Sequence, residues 1–268
     1  MSKKESVCLV GWGALGRRVS ALLAERVSPA RIEAVAVRDV SKYRSDLPPG
    51  AQLISSPEEI AQTKADLVVE VAERDSVLAY GRAALLSGMD FAVSSTSALV
   101  DPPVLQELTR LAVEKGCSLL IPPGALGGID ALSASARLGL SSVTHRIIKP
   151  SVAWLGTRAE TLCDLKTLRS PFTFFDGSAR EAADHFPKNA NVAVITSLAG
   201  VGLEKTRIHL VADPSATCNM HEIFAEGEFG QLRVQLQNRP LLANPKTSEI
   251  TALNIVRMIE NRSPGLVI

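Results

Sequence analysis

The segment Val7-Cys-Leu-Val-Gly-Trp-Gly-Ala-Leu-Gly16 limits the possible folds of this chain more than any other. An apolar run stops at Gly11, Gly13 and Gly16, and an amphipathic stretch follows at once. A buried strand, a tight glycine turn and a helix start in that order suit a dinucleotide pyrophosphate. Gly11 permits the sharp turn, Gly13 lets the backbone approach the phosphates, and Gly16 lets the helix pack on the strand. The helix start adds free N–H groups and the positive end of its dipole. Gly11, Trp12, Gly13, Ala14, Leu15 and Gly16 are therefore candidate cofactor contacts.

The pattern around this turn repeats the strand–helix alternation. Residues 14–26 read as a helix with Leu15, Val19, Leu22 and Leu23 on its apolar face. Residues 32–37 form a second strand, and Arg38-Asp39 follows. An acidic residue about 20 positions past the glycines binds the adenosine ribose hydroxyls, and Asp39 is placed to do so. Arg38 beside it suits a 2′-phosphate, so both NAD and NADP stay open. Ser56-Pro-Glu-Glu59 starts a short helix, with proline at the first position and acids in the first turn. Strands at 66–72, 91–93 and 117–121 alternate with helices at 76–86 and 101–115. This predicts an α/β, Rossmann-type, doubly wound parallel sheet. Ligands of such sheets gather at the carboxyl ends of the strands, which singles out Ala72 and the hydroxyl run containing Ser95.

Beyond residue 122 the pattern changes. A helix at 130–140 and another at 189–203 stand among segments of period-two alternation at 145–149, 206–211, 222–228 and 232–236. One-face burial of an antiparallel sheet produces that alternation. The expected organisation is a dinucleotide-binding domain at 1–122 and an α+β catalytic and oligomerisation domain at 123–245, with a C-terminal helix at 246–268 packing back on the first.

A net charge of +1 without a basic block gives no sign of nucleic acid or an anionic membrane as partner. The start lacks a long apolar segment, and no apolar run is long enough to span a bilayer, which points to a cytoplasmic protein. Cys8, Cys117, Cys163 and Cys218 are scattered without a CxxC pair. Cys8 and Cys117 read as core thiols in buried strands. Cys218 and His221 have a metal-like spacing but lack a second ligand pair nearby, so no metal site is expected.

The four histidines are His145, His185, His209 and His221. His145 and His209 alternate with apolar residues and read as solvent-facing or satisfied strand residues. His185 is a reserve candidate beside Phe186-Pro187, and His221 lies where a strand begins after an irregular loop.

Five further motifs occur in order: Pro123-Gly-Ala-Leu-Gly-Gly-Ile-Asp-Ala-Leu132, Phe186-Pro-Lys-Asn-Ala-Asn-Val-Ala193, Val211-Ala-Asp-Pro214, Asn219-Met-His221 and Asn244-Pro-Lys-Thr-Ser248. With the glycine turn they resemble the L-aspartate dehydrogenase family along nearly the whole chain. The resemblance implies oxidation of L-aspartate to iminoaspartate with NAD or NADP. The imine then hydrolyses to oxaloacetate and ammonia or feeds NAD biosynthesis through quinolinate, with a hand-off to quinolinate synthase. It also implies cofactor contacts at Ala125 and Asn191, a catalytic role for His221, and a homodimer. A substrate with two carboxylates needs cations or N–H donors, and Lys149, Lys188, Asn189 and Lys246 lie in or beside the motifs. Asn189 and Asn191 flank a helix start, so one of them is open to a capping role. Two alternatives stand beside this reading: another two-domain oxidoreductase such as a homoserine dehydrogenase, and a non-catalytic NAD-binding sensor. The sequence leaves the cofactor preference, the favoured direction and the carboxylate-binding cations open.

Overall fold

A computed structural model describes residues 5–267 apart from 27 and 43; the side chains of 188, 245 and 246 also lie outside the described residues. The chain divides into two compact units, 1–122 with 251–268, and 123–250.

The first unit is built on a parallel six-stranded sheet. Its strands are β1 (Glu5–Val10), β2 (Ala30–Ala36), β3 (Gln52–Ile54), β4 (Leu67–Glu70), β5 (Asp90–Val93) and β6 (Leu119–Leu120), in the spatial order β3-β2-β1-β4-β5-β6. Helices α1 (Ala14–Glu25), α2 (Ser76–Leu86) and α3 (Pro102–Lys115) make the crossovers. The order reverses between β1 and β4, which places the switch point at the glycine turn. Val7, Leu9, Val35, Leu67 and Val69 form one apolar face of this sheet, and Val19, Leu22 and Leu23 of α1 pack on it. A C-terminal helix ending at Glu260 adds Ala252, Ile255, Val256 and Ile259 to the same core. Arg262, just past that helix, bonds Glu5 and lies 2.7 Å from Asp90.

The short helix expected from Ser56 is a 3-10 segment, Pro57–Thr63, and Ser56 and Glu59 form a reciprocal cap at its start. The strand expected at 117–121 contracts to two residues. Cys117 precedes it and is half-buried rather than in a buried strand. β6 pairs only with β5, and the Ser118 amide before it is held by Asp90 Oδ1 at 2.5 Å. Cys8 is fully buried, and burial raises its thiol to about 12.

The second unit opens with α4 (Ile129–Ser135), followed by a five-stranded sheet of β7 (Leu140–Pro150), β8 (Phe172–Ser178), β9 (Arg207–Asp213), β10 (Asn219–Gly227) and β11 (Gly230–Asn238), in the order β11-β10-β7-β9-β8. The expected helix at 130–140 stops short because Leu140 already belongs to β7. The sheet is mixed rather than antiparallel: β7 and β9 run parallel. The crossover between them carries β8, α5 (Ala179–His185) and α6 (Asn191–Ala199), and a connection of that length lets the chain re-enter in the same direction. Alternation did not reveal α5, whose start carries a Ser178/Glu181 capping box. Ile147, Ile208 and Leu210 on one sheet face pack with Trp154, Phe174, Phe186 and Ala193. Trp154 meets Phe174 edge-on at 4.8 Å and donates its indole N–H to Val211 O. β12 (Pro240–Leu241) and β13 (Asn244–Ser248) form a hairpin, and α7 (Glu249–Glu260) follows it.

The strand–turn–helix of residues 5–25 rests on one very close approach. A Cβ on Gly16 would lie 2.3 Å from the Gly11 carbonyl oxygen, which is rigid backbone. Gly16→Ala is therefore expected to destabilise the protein by about 3 kcal/mol, read as a lowered urea midpoint.

Candidate active site

The cofactor-binding half is assembled in the first unit. Gly11 has φ +111°, and a Cβ there would lie 2.9 Å from Ala72, so the turn at the end of β1 seats directly on the loop after β4. A Cβ at Gly13 would meet nothing within 4 Å, which leaves open space where a phosphate would approach. Gly13 is also the N-cap of α1; no side chain caps that end, and no acidic residue stands in its first turn. The first helical bond runs from Arg17 N to Gly13 O, so the preceding amides of Ala14, Leu15 and Gly16 have no partner within the helix. These features fit a dinucleotide pyrophosphate. Trp12 contributes differently: its ring is buried in the apolar core and its N–H donates to Asp46 at 3.0 Å, which leaves its backbone as the group facing the turn.

Glu70 at the end of β4 organises two of the sequence-selected positions. Fully buried, it accepts hydrogen bonds from Ala72 N at 2.8 Å, Ser95 N at 2.9 Å and Ser95 Oγ at 2.8 Å. Burial raises its pKa, and these donors oppose the rise. The loops after β4 and β5 are thus tied by one carboxylate, which an apolar strand pattern does not single out. Asp39 is exposed, and its Oδ1 accepts from Ser41 N at 2.9 Å and Ser41 Oγ at 2.6 Å; these bonds lower its pKa and fix its rotamer. Arg38 lies 3.2 Å from Glu73.

The second unit gathers two imidazoles and a lysine. His221, third in β10, is 4% exposed, and its Nδ1 lies 3.1 Å from Nε2 of His145 on β7. The two strands pair antiparallel, with His221 opposite Ile147 and Ile223 opposite His145, so both rings project from one face. His145 is fully buried, and its Nδ1 lies 2.9 Å from Thr196 Oγ1 on α6. Burial lowers the pKa of His145 to about 3. It also lowers His221 well below its ordinary value, with the neighbouring His145 and Lys149 as further causes. His221 is therefore neutral at rest.

Lys149 lies on the same face, two residues beyond Ile147. Its ammonium donates to Asn189 Oδ1 and sits 4.9 Å from the Trp154 ring centre, and burial lowers its pKa to about 8. Asn189 precedes α6 and is engaged with this lysine. The N-cap of α6 is Ala190, with no side-chain cap, and Asn191 is its exposed first residue. Neither asparagine occupies the N-cap position of the helix. Ala125 is half-buried, and its carbonyl accepts from the buried Asn238 Nδ2 at 2.8 Å. Gly128, at the end of that motif, lies against Val234 of β11, where a Cβ would come within 2.6 Å. The expectations for Lys188 and Lys246 fall on side chains outside the described residues.

The expectation for His145 is a solvent-facing or satisfied strand residue. It is satisfied, but inside the core and against His221. Its parity with Val143 and Ile147 places it on the buried face of β7. That signal is present in the sequence; the pairing with β10 that brings the rings together is not. His209 projects from the opposite face and lies 3.1 Å from Asp176. His185 is exposed at the end of α5.

Comparisons with known proteins converge. A family model described as "Aspartate dehydrogenase, C-terminal" matches residues 130–262, and one described as "Homoserine dehydrogenase, NAD binding domain" matches residues 11–122. An L-aspartate dehydrogenase of Brucella anthropi is 60% identical over 268 residues, 100% of both chains. That of Pseudomonas aeruginosa is 41% identical over 98% of this chain and 99% of its own. The crystal structure of an aspartate dehydrogenase from Thermotoga maritima shares the fold at a TM-score of 0.79 and 24% identity, covering 98% of this chain and 99% of that one.

The buried neutral imidazoles have a consequence for stability. Below about pH 6.5 the unfolded chain binds protons that the folded chain refuses, so stability falls as pH drops. His145, held at about 3, contributes a slope of up to about 1.4 kcal/mol per pH unit between those values. Urea unfolding at pH 7, 6 and 5 is expected to show this decline, and His145→Gln is expected to reduce its slope by about one proton.

Proposed function

The chain belongs to the L-aspartate dehydrogenase family, and from that membership we propose that His221 is the acid–base residue of its reaction and Lys149 a carboxylate-binding cation. The reaction converts L-aspartate and NAD(P)+ to iminoaspartate, NAD(P)H and a proton. NAD or NADP, when bound, supplies the hydride acceptor. The chain's own groups handle the proton and the substrate charges.

The observation that carries the reading is the meeting of a neutral imidazole and a cation on one sheet face. Lys149 acts electrostatically on His221, and the two stand on neighbouring strands. A neutral imidazole has a lone pair with which to take a proton from the α-ammonium of the substrate. The freed amine lone pair then forms the C=N bond as hydride leaves Cα. Burial alone makes His221 a weak base; a bound dicarboxylate beside it opposes that effect and raises its proton affinity. Lys149, already held by Asn189 and the Trp154 ring, offers a fixed positive charge to one carboxylate. Ala125 and Asn191 are proposed to contact the cofactor. Their support is the family motif, together with the local order of both segments: the Ala125 carbonyl is fixed by Asn238, and Asn191 opens α6.

The assignment extends to a homodimer through the second unit's sheet. The face opposite the histidines carries Arg146 and Glu222 paired at 2.7 Å, and Arg233 over Phe224. Among the described residues no helix is long and apolar enough to cross a membrane. A cytoplasmic location and transfer of the imine to quinolinate synthesis complete the proposal.

Purified protein mixed with NAD and L-aspartate at alkaline pH is expected to produce reduced cofactor, followed by its absorbance. Signal from L-homoserine and none from L-aspartate would overturn the substrate. His221→Ala is expected to lower kcat by about 10²–10⁴-fold while cofactor affinity changes little, because the group acts in the chemical step. A change confined to cofactor affinity would remove it as the acid–base residue. Asp39→Ala is expected to weaken NAD more than NADP in binding titrations, because its carboxylate faces solvent at the end of β2 in a rotamer that Ser41 fixes. Equal losses would exclude a ribose contact.

A further inference from the structure

We infer that His145 and Thr196 act as positioning residues that fix the tautomer of His221, with the proton on Nδ1 and the lone pair on Nε2. The inference deepens the reading of His221 as the acid–base residue and rests on it for its mechanistic meaning.

Thr196 Oγ1 lies 3.0 Å from the Val192 carbonyl oxygen, one turn back in α6, and 2.9 Å from His145 Nδ1. A carbonyl oxygen can only accept, and a hydroxyl has one hydrogen to give. For both contacts to be hydrogen bonds, the hydroxyl donates to Val192 and accepts from His145. His145 Nδ1 must then carry a hydrogen. The ring is fully buried and neutral, so its Nε2 holds a lone pair. The only group His221 can bring to that lone pair, across 3.1 Å, is Nδ1–H. A neutral His221 that spends its single ring hydrogen on Nδ1 is left with an unprotonated Nε2. The backbone carbonyl of Val192 thus determines, through a hydroxyl and a second imidazole, which nitrogen of His221 is the base.

The groups facing His221 admit this assignment. On β7 they are His145 and Lys149, and on β11 the residue opposite is Leu236, which has no hydrogen bond to offer. Thr196 of α6 reaches it through His145. Glu222, next to His221 in β10, faces the other side and is bound to Arg146 and Gln235. Proton uptake at Nε2 leaves the Nδ1–H bond to His145 intact and makes it charge-assisted, so the ring need not turn during the reaction.

The test reads the tautomer directly. Long-range ¹H–¹⁵N correlation spectra of the wild-type protein, with His221→Asn used for assignment, are expected to show His221 Nδ1 protonated and Nε2 unprotonated near neutral pH. Thr196→Val, which keeps the shape and removes the hydroxyl, is expected to mix the tautomers of both rings. It should lower kcat by about 10-fold or more with little change in the KM for NAD, and Thr196→Ser should recover the loss. His145→Gln keeps an acceptor for His221 and is expected to retain more activity than His145→Leu. If His145→Leu does not fold, the wild-type spectrum and the Thr196 pair still decide. A His221 protonated on Nε2 in the wild type would overturn the inference, as would a Thr196→Val protein with unchanged tautomer and kcat. If the spectra show Nδ1–H but His221→Ala keeps full activity, the acid–base reading fails while the tautomer assignment stands.

Discussion

Two imidazoles pressed together inside an apolar sheet face cannot both carry charge, and the second unit is arranged around that constraint. His145 lies among Ile147, Ile208 and Ile223 on the buried side of the sheet, where an ionised ring would lose its water without gaining a counter-charge. It stays neutral and is satisfied at both nitrogens, by Thr196 and His221. This fixes the distance between α6 and the sheet at one point and makes β7 and β10 hold their register there. A slip of one residue in β10 would carry His221 to the opposite face.

The first unit solves a related problem with a carboxylate. Glu70 is buried at the end of a parallel strand, where desolvation disfavours its ionised form. Three donors from the loops at Ala72 and Ser95 compensate. Those loops stand beside the glycine turn, and Ala72 leaves no room for a Cβ at Gly11. The carboxylate therefore shapes the cofactor's surroundings by orienting the backbone. In both units a buried polar group is fully partnered, and its partners belong to segments that carry site residues.

Periodicity and glycine placement made the first unit legible, because a parallel sheet buried on both faces writes continuous apolar runs and each crossover helix has its own start and stop signals. The glycine turn could be assigned residue by residue because backbone geometry there depends on a missing Cβ. The second unit was legible only in class. Alternation located β7, β9, β10 and β11, but it does not encode strand order, so the parallel β7–β9 pair and the meeting of His145 with His221 could not be read. β8 and α5 escaped because Phe172–Ser178 mixes its faces and the helix spans only seven residues. His221, Asn191 and Ala125 drew attention through the family motif. The residues that hold the first and last in place, His145 and Asn238, lie outside the motifs and are visible only in three dimensions.

On the proposed role of His221, a neutral partner suits the charge of the substrate. A carboxylate behind an imidazole is the common way to orient it and strengthens it as a base. Here it would also place a negative charge within a few ångströms of a substrate that brings two carboxylates of its own. At 4 Å such a like-charge pair costs about 4 kcal/mol at an effective dielectric of 20. A buried, neutral His145 orients the ring without that repulsion, and the charge near His221 is instead positive, from Lys149. Burial, with His145 and Lys149 beside it, holds the proton affinity of His221 down, and a dicarboxylate bound there would raise it. On the proposed role of His221, its proton affinity would then be coupled to occupancy by a substrate of the correct charge.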